Sequence, residues 1–218
     1  MGAVHHKYEG FQIDKVSDNL PFLGFGIKVN YGSIFADAYV SETTEGNDDN
    51  AFNTIDFKHK NHYVSIGYSI SDFSIFASYR TDETNLERME NVPEESTTNH
   101  TQVDFKADGP FLGAEYNVQL NDSIKLGINA AYGWLEGAHY FATTTQEGSF
   151  AGTTSIKDGN GFILGINLGG NFFKGTSYNV SLDYYKHKMD LGDDLAFSFN
   201  PYVEETQLIF KLSLGYRF

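Results

Sequence analysis

Only a few residues in this 218-residue chain are of types and spacings that could do chemistry. Lys-His-Lys occurs twice, as Lys58-His59-Lys60 and as Lys186-His187-Lys188. Histidine titrates near neutral pH, so His59 and His187 are the candidates for proton transfer or metal ligation. Neither stands in a metal spacing such as His-Glu-x-x-His. The acidic doublets Asp48-Asp49 and Asp193-Asp194 have no Asp-x-His after them, and no EF-hand spacing is present. With no cysteine, disulfides and cysteine zinc sites are excluded. Asn99-His100-Thr101 matches a glycosylation triplet, which means little outside a glycosylating compartment. The expectation is therefore no catalytic set, no metal and no cofactor.

The elements that must position these residues are strands. Leu208, Phe210, Leu212, Leu214, Tyr216 and Phe218 alternate with Gln207, Ile209, Lys211, Ser213, Gly215 and Arg217, the period of a strand with one apolar face. The same alternation marks 7–16, 21–31, 34–41, 59–70, 73–80, 110–120, 124–135, 161–173 and 178–188. Breaks at 17–19, 32–33, 71–72, 121–123 and 174–177 read as short connections. Between them lie long polar connections at 42–58, 81–107, 136–160 and 189–203. PFLG recurs at 21–24 and 110–113, and SIFA at 33–36 and 74–77, so hairpins of one kind repeat along the chain.

These segments predict one all-β domain over 1–218, an antiparallel up-and-down barrel of about ten strands. Eight is the alternative, with 24–41 as one strand and 1–21 as a tail. The formal charge of −14 argues against a nucleic-acid partner. Seventeen of the 29 acids fall in 42–56, 81–104 and 189–205, with Arg88 the only Lys or Arg there. No run of eighteen apolar residues exists, which excludes a membrane helix but not membrane strands.

Alternation alone does not say which face points outward. The second face is mostly Gly, Asn and Ser, which suits a cramped, hydrated interior better than a solvent face. The apolar face carries aromatics near strand ends, among them Tyr31, Tyr79, Trp134 and Tyr184, as rings do where hydrocarbon meets headgroups. The apolar side is therefore expected to face lipid.

At the C-terminus, the alternating strand ending in Tyr216-Arg217-Phe218 resembles the closing strand of Gram-negative outer-membrane β-barrels. The resemblance implies residence in that membrane and insertion by the barrel assembly machinery, with short turns in the periplasm and long loops outside. MGAVHHKYEG lacks an apolar signal core, so either Met1 replaces a removed signal peptide, the reading favoured here, or the chain never left the cytoplasm. Ten strands is also the count of the omptin proteases, which use Asp-Asp and Asp-His pairs near the outer rim. Here the Asp doublets fall in connections.

In this register Lys28, Asp37, Arg80, Glu115, Lys125, Asp183, Lys211 and Arg217 point into the lumen. They are either a paired network or the constriction of a narrow conduit. Lys58, Lys60, Lys186 and Lys188 share the lipid-facing phase and are candidates for contact with lipopolysaccharide phosphates. The leading expectation is a monomeric, non-enzymatic narrow channel for water, ions or very small solutes. The alternative is a surface receptor, adhesin or structural barrel presenting acidic loops to an extracellular protein partner. A third reading is a rim hydrolase of omptin or lipid-deacylase type.

Overall fold

The computed structural model describes residues 1–10, 13–43, 46–49, 53–92, 97–173, 176–190 and 202–216. These form eleven antiparallel strand segments: β1 (Gly2–Gly10), β2 (Ile13–Tyr31), β3 (Ile34–Thr43), β4 (Gly46–Asp49), β5 (Asn53–Ile70), β6 (Phe73–Val92), β7 (Thr97–Asn121), β8 (Ile124–Thr145), β9 (Gly148–Phe173), β10 (Thr176–Asp190) and β11 (Tyr202–Tyr216). Each segment pairs with its sequence neighbours, except that β3 and β4 both pair with β5, one beyond the other. The β1–β11 and β3–β5 pairings close the ring, so β3 and β4 share one of ten positions around it. The eight-strand alternative is excluded by the reversal at Gly32-Ser33, where Gly32 takes the left-handed φ of 61° that glycine tolerates.

Two boundaries differ from the sequence reading. Ser17, Asp18 and Asn19 do not turn the chain; they pair with Lys7, His6 and His5 inside β2, and the β1–β2 pairing runs on to Gly10 and Ile13. The long connections 81–107 and 136–160 are almost wholly strand, as is much of 42–58. β6 continues twelve residues beyond Arg80, from Thr81 to Val92, roughly 40 Å of strand at about 3.4 Å per residue. Within 189–203, residues 191–201 lie outside the described residues.

The barrel has two halves with opposite polarity, clearest along β7. Its lower outward residues are Leu112, Ala114, Tyr116, Val118 and Leu120, and its upper outward residues are Gln102, Asp104, Lys106 and Asp108. Inward the order reverses: Gly113 and Glu115 below, Val103, Phe105 and Ala107 above, the last three at 2% exposure or less. The lower belt is wide enough to span hydrocarbon, nine residues on β8 from Leu126 to Trp134. Tyr79, Tyr132 and Trp134 mark its upper rim; Tyr132 and Trp134 meet edge to face, and the Tyr79 hydroxyl donates to Asp108 just above. Apolar side chains thus face outward mainly in the belt, where hydrocarbon replaces water, with Met89 and Phe150 the exposed exceptions above it among the described residues.

The repeated motifs have a structural reason. The phenylalanines of both PFLG copies, Phe22 and Phe111, turn inward at 7% and 0% exposure while Leu23 and Leu112 turn out. The phenylalanines of both SIFA copies lie across glycines: a Cβ on Gly67 would sit 2.1 Å from the Phe35 ring, and one on Gly113 would sit 2.3 Å from Phe76. Glycine is what lets an aromatic ring lie flat on the opposing strand inside so narrow a barrel.

Candidate functional site

Six of the eight predicted lumen charges line one cavity of about 500 Å³ in the lower half: Lys28, Asp37, Arg80, Glu115, Asp183 and Lys211. Lys211 pairs with Asp183 at 2.5 Å. Asp37 accepts a hydrogen bond from Ser65 at 2.7 Å, and Glu115 one from Asn167 at 3.4 Å. Lys28 lies 4.5 Å above the Phe35 ring. Lys125 is exposed near the lower hairpin of β7 and β8 and is not part of the cavity wall. Arg217 and Phe218 lie outside the described residues, and Tyr216 pairs with Thr176 at the end of β11.

The roof of the cavity is a buried polar layer centred on Asp82. Arg80 grips both oxygens of this carboxylate, through Nε at 2.8 Å and Nη2 at 3.0 Å, and Asn61 donates to Oδ1 at 2.7 Å. His59 places Nε2 3.4 Å from Asp82, and its Nδ1 is 3.0 Å from the Thr84 hydroxyl. Gln207 Nε2 approaches His59 Nε2 at 3.2 Å. Thr84 donates to Glu205, which also lies 3.1 Å from His187 Nε2. The Arg80 guanidinium stacks 3.8 Å over the Tyr185 ring. Since β5 and β6 stand across the ring from β10 and β11, this network spans the lumen. A buried charge set of this kind is stable only when fully paired.

With the flanking lysines in lipid-facing phase, His59 and His187 fall towards the lumen, whereas Asp82, Glu205, Tyr185 and Gln207 are not among the candidates that the sequence offers. A signal was available: Ser78, Arg80, Asp82, Thr84 and Leu86 keep a period of two straight through the supposed loop boundary. Above this layer sits the main core, including Phe57, Leu86, Val103, Phe105, Leu135, Phe141, Ile156, Met189 and Val203. Asp48 and Asp49 lie in β4, and Asp193-Asp194 lie outside the described residues.

The four lysines of the Lys-His-Lys triplets point outward near the upper rim of the belt. Lys58 and Lys60 reach Glu42 at 2.8 and 3.8 Å, Lys186 reaches Glu204 at 2.7 Å, and Lys188 lies 4.3 Å over the Tyr202 ring. The hydrogen bond from Lys58 holds the exposed Glu42 carboxyl below its ordinary range. Exposed pairs of this kind are weak and exchange readily. In the upper lumen, burial pushes His139 down to about 4, against an opposing pull from Asp104.

No protein-family model matches the chain, and no curated protein matches it. Solved structures do. The outer-membrane protease OmpT from Escherichia coli superposes with a TM-score of 0.72 at 12% identity, over 100% of this chain and 93% of its own. The translocator domain of the autotransporter NalP from Neisseria meningitidis gives 0.55 at 10% identity, over 100% and 87%. At such identities the likeness is one of fold. Closed ring, apolar belt and structural likeness converge: the chain is a transmembrane β-barrel of the type found in the outer membrane of Gram-negative bacteria.

Proposed function

We propose that this protein is a non-conducting outer-membrane barrel whose projecting upper half is a rigid platform for an extracellular protein partner. One observation carries the reading: a packed apolar cluster, drawn from β5 to β11, seven of the ten positions around the ring, lies across the upper lumen above the Arg80–Asp82 layer. Buried apolar side chains meeting across a lumen close it to solutes. The outward face of the same strands is polar, with Glu83, Glu87, Asp104 and Glu136 among its acids, and suits a water-exposed recognition surface.

Passive passage of water, ions or very small solutes is the second reading, favoured by the charged cavity in the lower half. It requires the roof and core to part. Planar-bilayer recording of the refolded chain tests the two. We expect no reproducible open steps; steps that change when Glu115 or Lys211 is neutralised would establish the channel. A rim hydrolase would need His187 within reach of outside substrate, and His187 is 1% exposed. The outward lysines 58, 60, 186 and 188 supply a secondary contact to lipopolysaccharide phosphates. Replacing all four with Gln is expected to weaken lipopolysaccharide binding by the folded barrel, and unchanged affinity would remove that role.

A further inference from the structure

The lower cavity has two dissimilar walls. On β3, β5 and β6 the inward side chains include four rings, Phe35, Tyr39, Tyr63 and Phe76, with Tyr39 and Tyr63 stacked at 5.4 Å. Facing them, β7 to β10 contribute Glu115, Asn129, Asn167, Asn179 and Asp183. The second wall is under-used by the protein. Among the described residues, Asn129 and Asn179 have no side-chain hydrogen-bond partner, and Glu115 accepts only from Asn167. Across the cavity, Asp37 accepts only from Ser65 among the described residues. Partly solvated amides and carboxylates with spare capacity, opposite an aromatic platform, form a site with polar directionality on one side and apolar contact area on the other.

The charges say what kind of molecule fits. The lining holds three cations, Lys28, Arg80 and Lys211, and three anions, Asp37, Glu115 and Asp183. Two of the cations are already paired, Arg80 with Asp82 and Lys211 with Asp183. With those pairs set aside, Asp82 belonging to the roof rather than the lining, Lys28 remains against Asp37 and Glu115, a surplus of one negative charge that disfavours an anionic ligand. Its free capacity is carboxylate and amide oxygen for hydroxyl donors, amide N–H for hydroxyl acceptors, and ring faces for C–H surfaces. We infer that the lower lumen is a binding cup for a small neutral saccharide, which presents hydroxyls at its edge and C–H groups on its face. The volume, about 500 Å³, lies within the range of small-molecule sites.

The test is calorimetric titration of the folded barrel in an amine-oxide detergent, whose headgroup carries no sugar. Glucose and maltose are compared with phenylalanine as a zwitterion and phenol as a bare aromatic ring. Saturable saccharide binding is expected. It should weaken roughly ten-fold or more in the Asn129→Ala/Asn179→Ala double variant, which breaks no hydrogen bond of the protein itself. It should vanish when Ser78→Phe fills the cavity. Heat-modifiable gel migration checks that each variant remains a barrel. The inference is overturned by absence of saturable saccharide binding, by preference for phenylalanine or phenol, or by saccharide heats that ignore both variants. None of these outcomes bears on conductance, so the platform reading stands or falls separately.

Discussion

Asp82 is the residue on which the luminal layer turns, because three donors on two strands converge on its carboxylate. Arg80 and Asp82 are 7% and 1% exposed, so neither charge can be left to water. Asp82→Asn keeps the shape but removes the counter-charge of a buried guanidinium, which should cost about 3–5 kcal/mol. Urea unfolding of the refolded barrel would register it as a lower midpoint. The double variant Arg80→Met/Asp82→Leu should recover much of that loss, since removing both charges leaves nothing uncompensated. If the double variant is no more stable than the single one, the layer is held by its hydrogen bonds rather than by charge pairing. Arg80 was legible in the sequence because Ala77 and Tyr79 fix its phase. Asp82 was not: Glu83 and Glu87 beside it give the segment the composition of a solvated loop.

The strands as elements carry a second message, that one sheet can serve two solvents. Below Tyr79 and Trp134 a strand is apolar outside and carries most of its polar residues within; above them the assignment reverses while the phase of the side chains carries through, except on β9, where a register shift against β8 moves the inward set from Gly161 to Ile156. This explains why strand phase in the belt was readable and the upper strands were not. In 97–108 only Val103, Phe105 and Ala107 are apolar, enough to line a lumen but too few to stand out among Thr, Gln, Asp and Lys. A core residue here should behave as in a soluble protein. Phe105→Ala should lower stability by about 3–5 kcal/mol, measured by the same unfolding titration. His139 adds a pH dependence. Its folded value of about 4 lies below the ordinary 6.5, so the unfolded chain binds the proton more readily between them. Its contribution is complete above pH 6.5, declines as pH falls towards 4, and amounts to about 3 kcal/mol in full. The stability of His139→Leu should therefore fall less steeply than wild type across that window. Parallel curves would show that His139 is not held neutral.

At the scale of the whole molecule, the upper core decides whether the barrel is a conduit or a support. In a barrel of ten positions the side chains can fill the interior, and here the filling is concentrated above the belt while the cavity lies within it. Removing the filling without touching the belt separates the two halves experimentally. Asp82 pairs with Ala107 across β6 and β7, so joining these residues through a short turn deletes the hairpin above them. That cut removes Leu86, Val103 and Phe105 from the core and leaves Tyr79, Leu112 and the other belt residues of these strands in place. The shortened barrel, verified by heat-modifiable migration, should show discrete conductance steps in a planar bilayer where the full chain is silent. Its currents should respond to charge changes at Glu115 and Lys211, which line the cavity below. Equal conductance in the two forms would mean that the upper core never closed the lumen. Silence in both would place the barrier in the Arg80–Asp82 layer, and repeating the recording with the Arg80→Met/Asp82→Leu replacement would locate it.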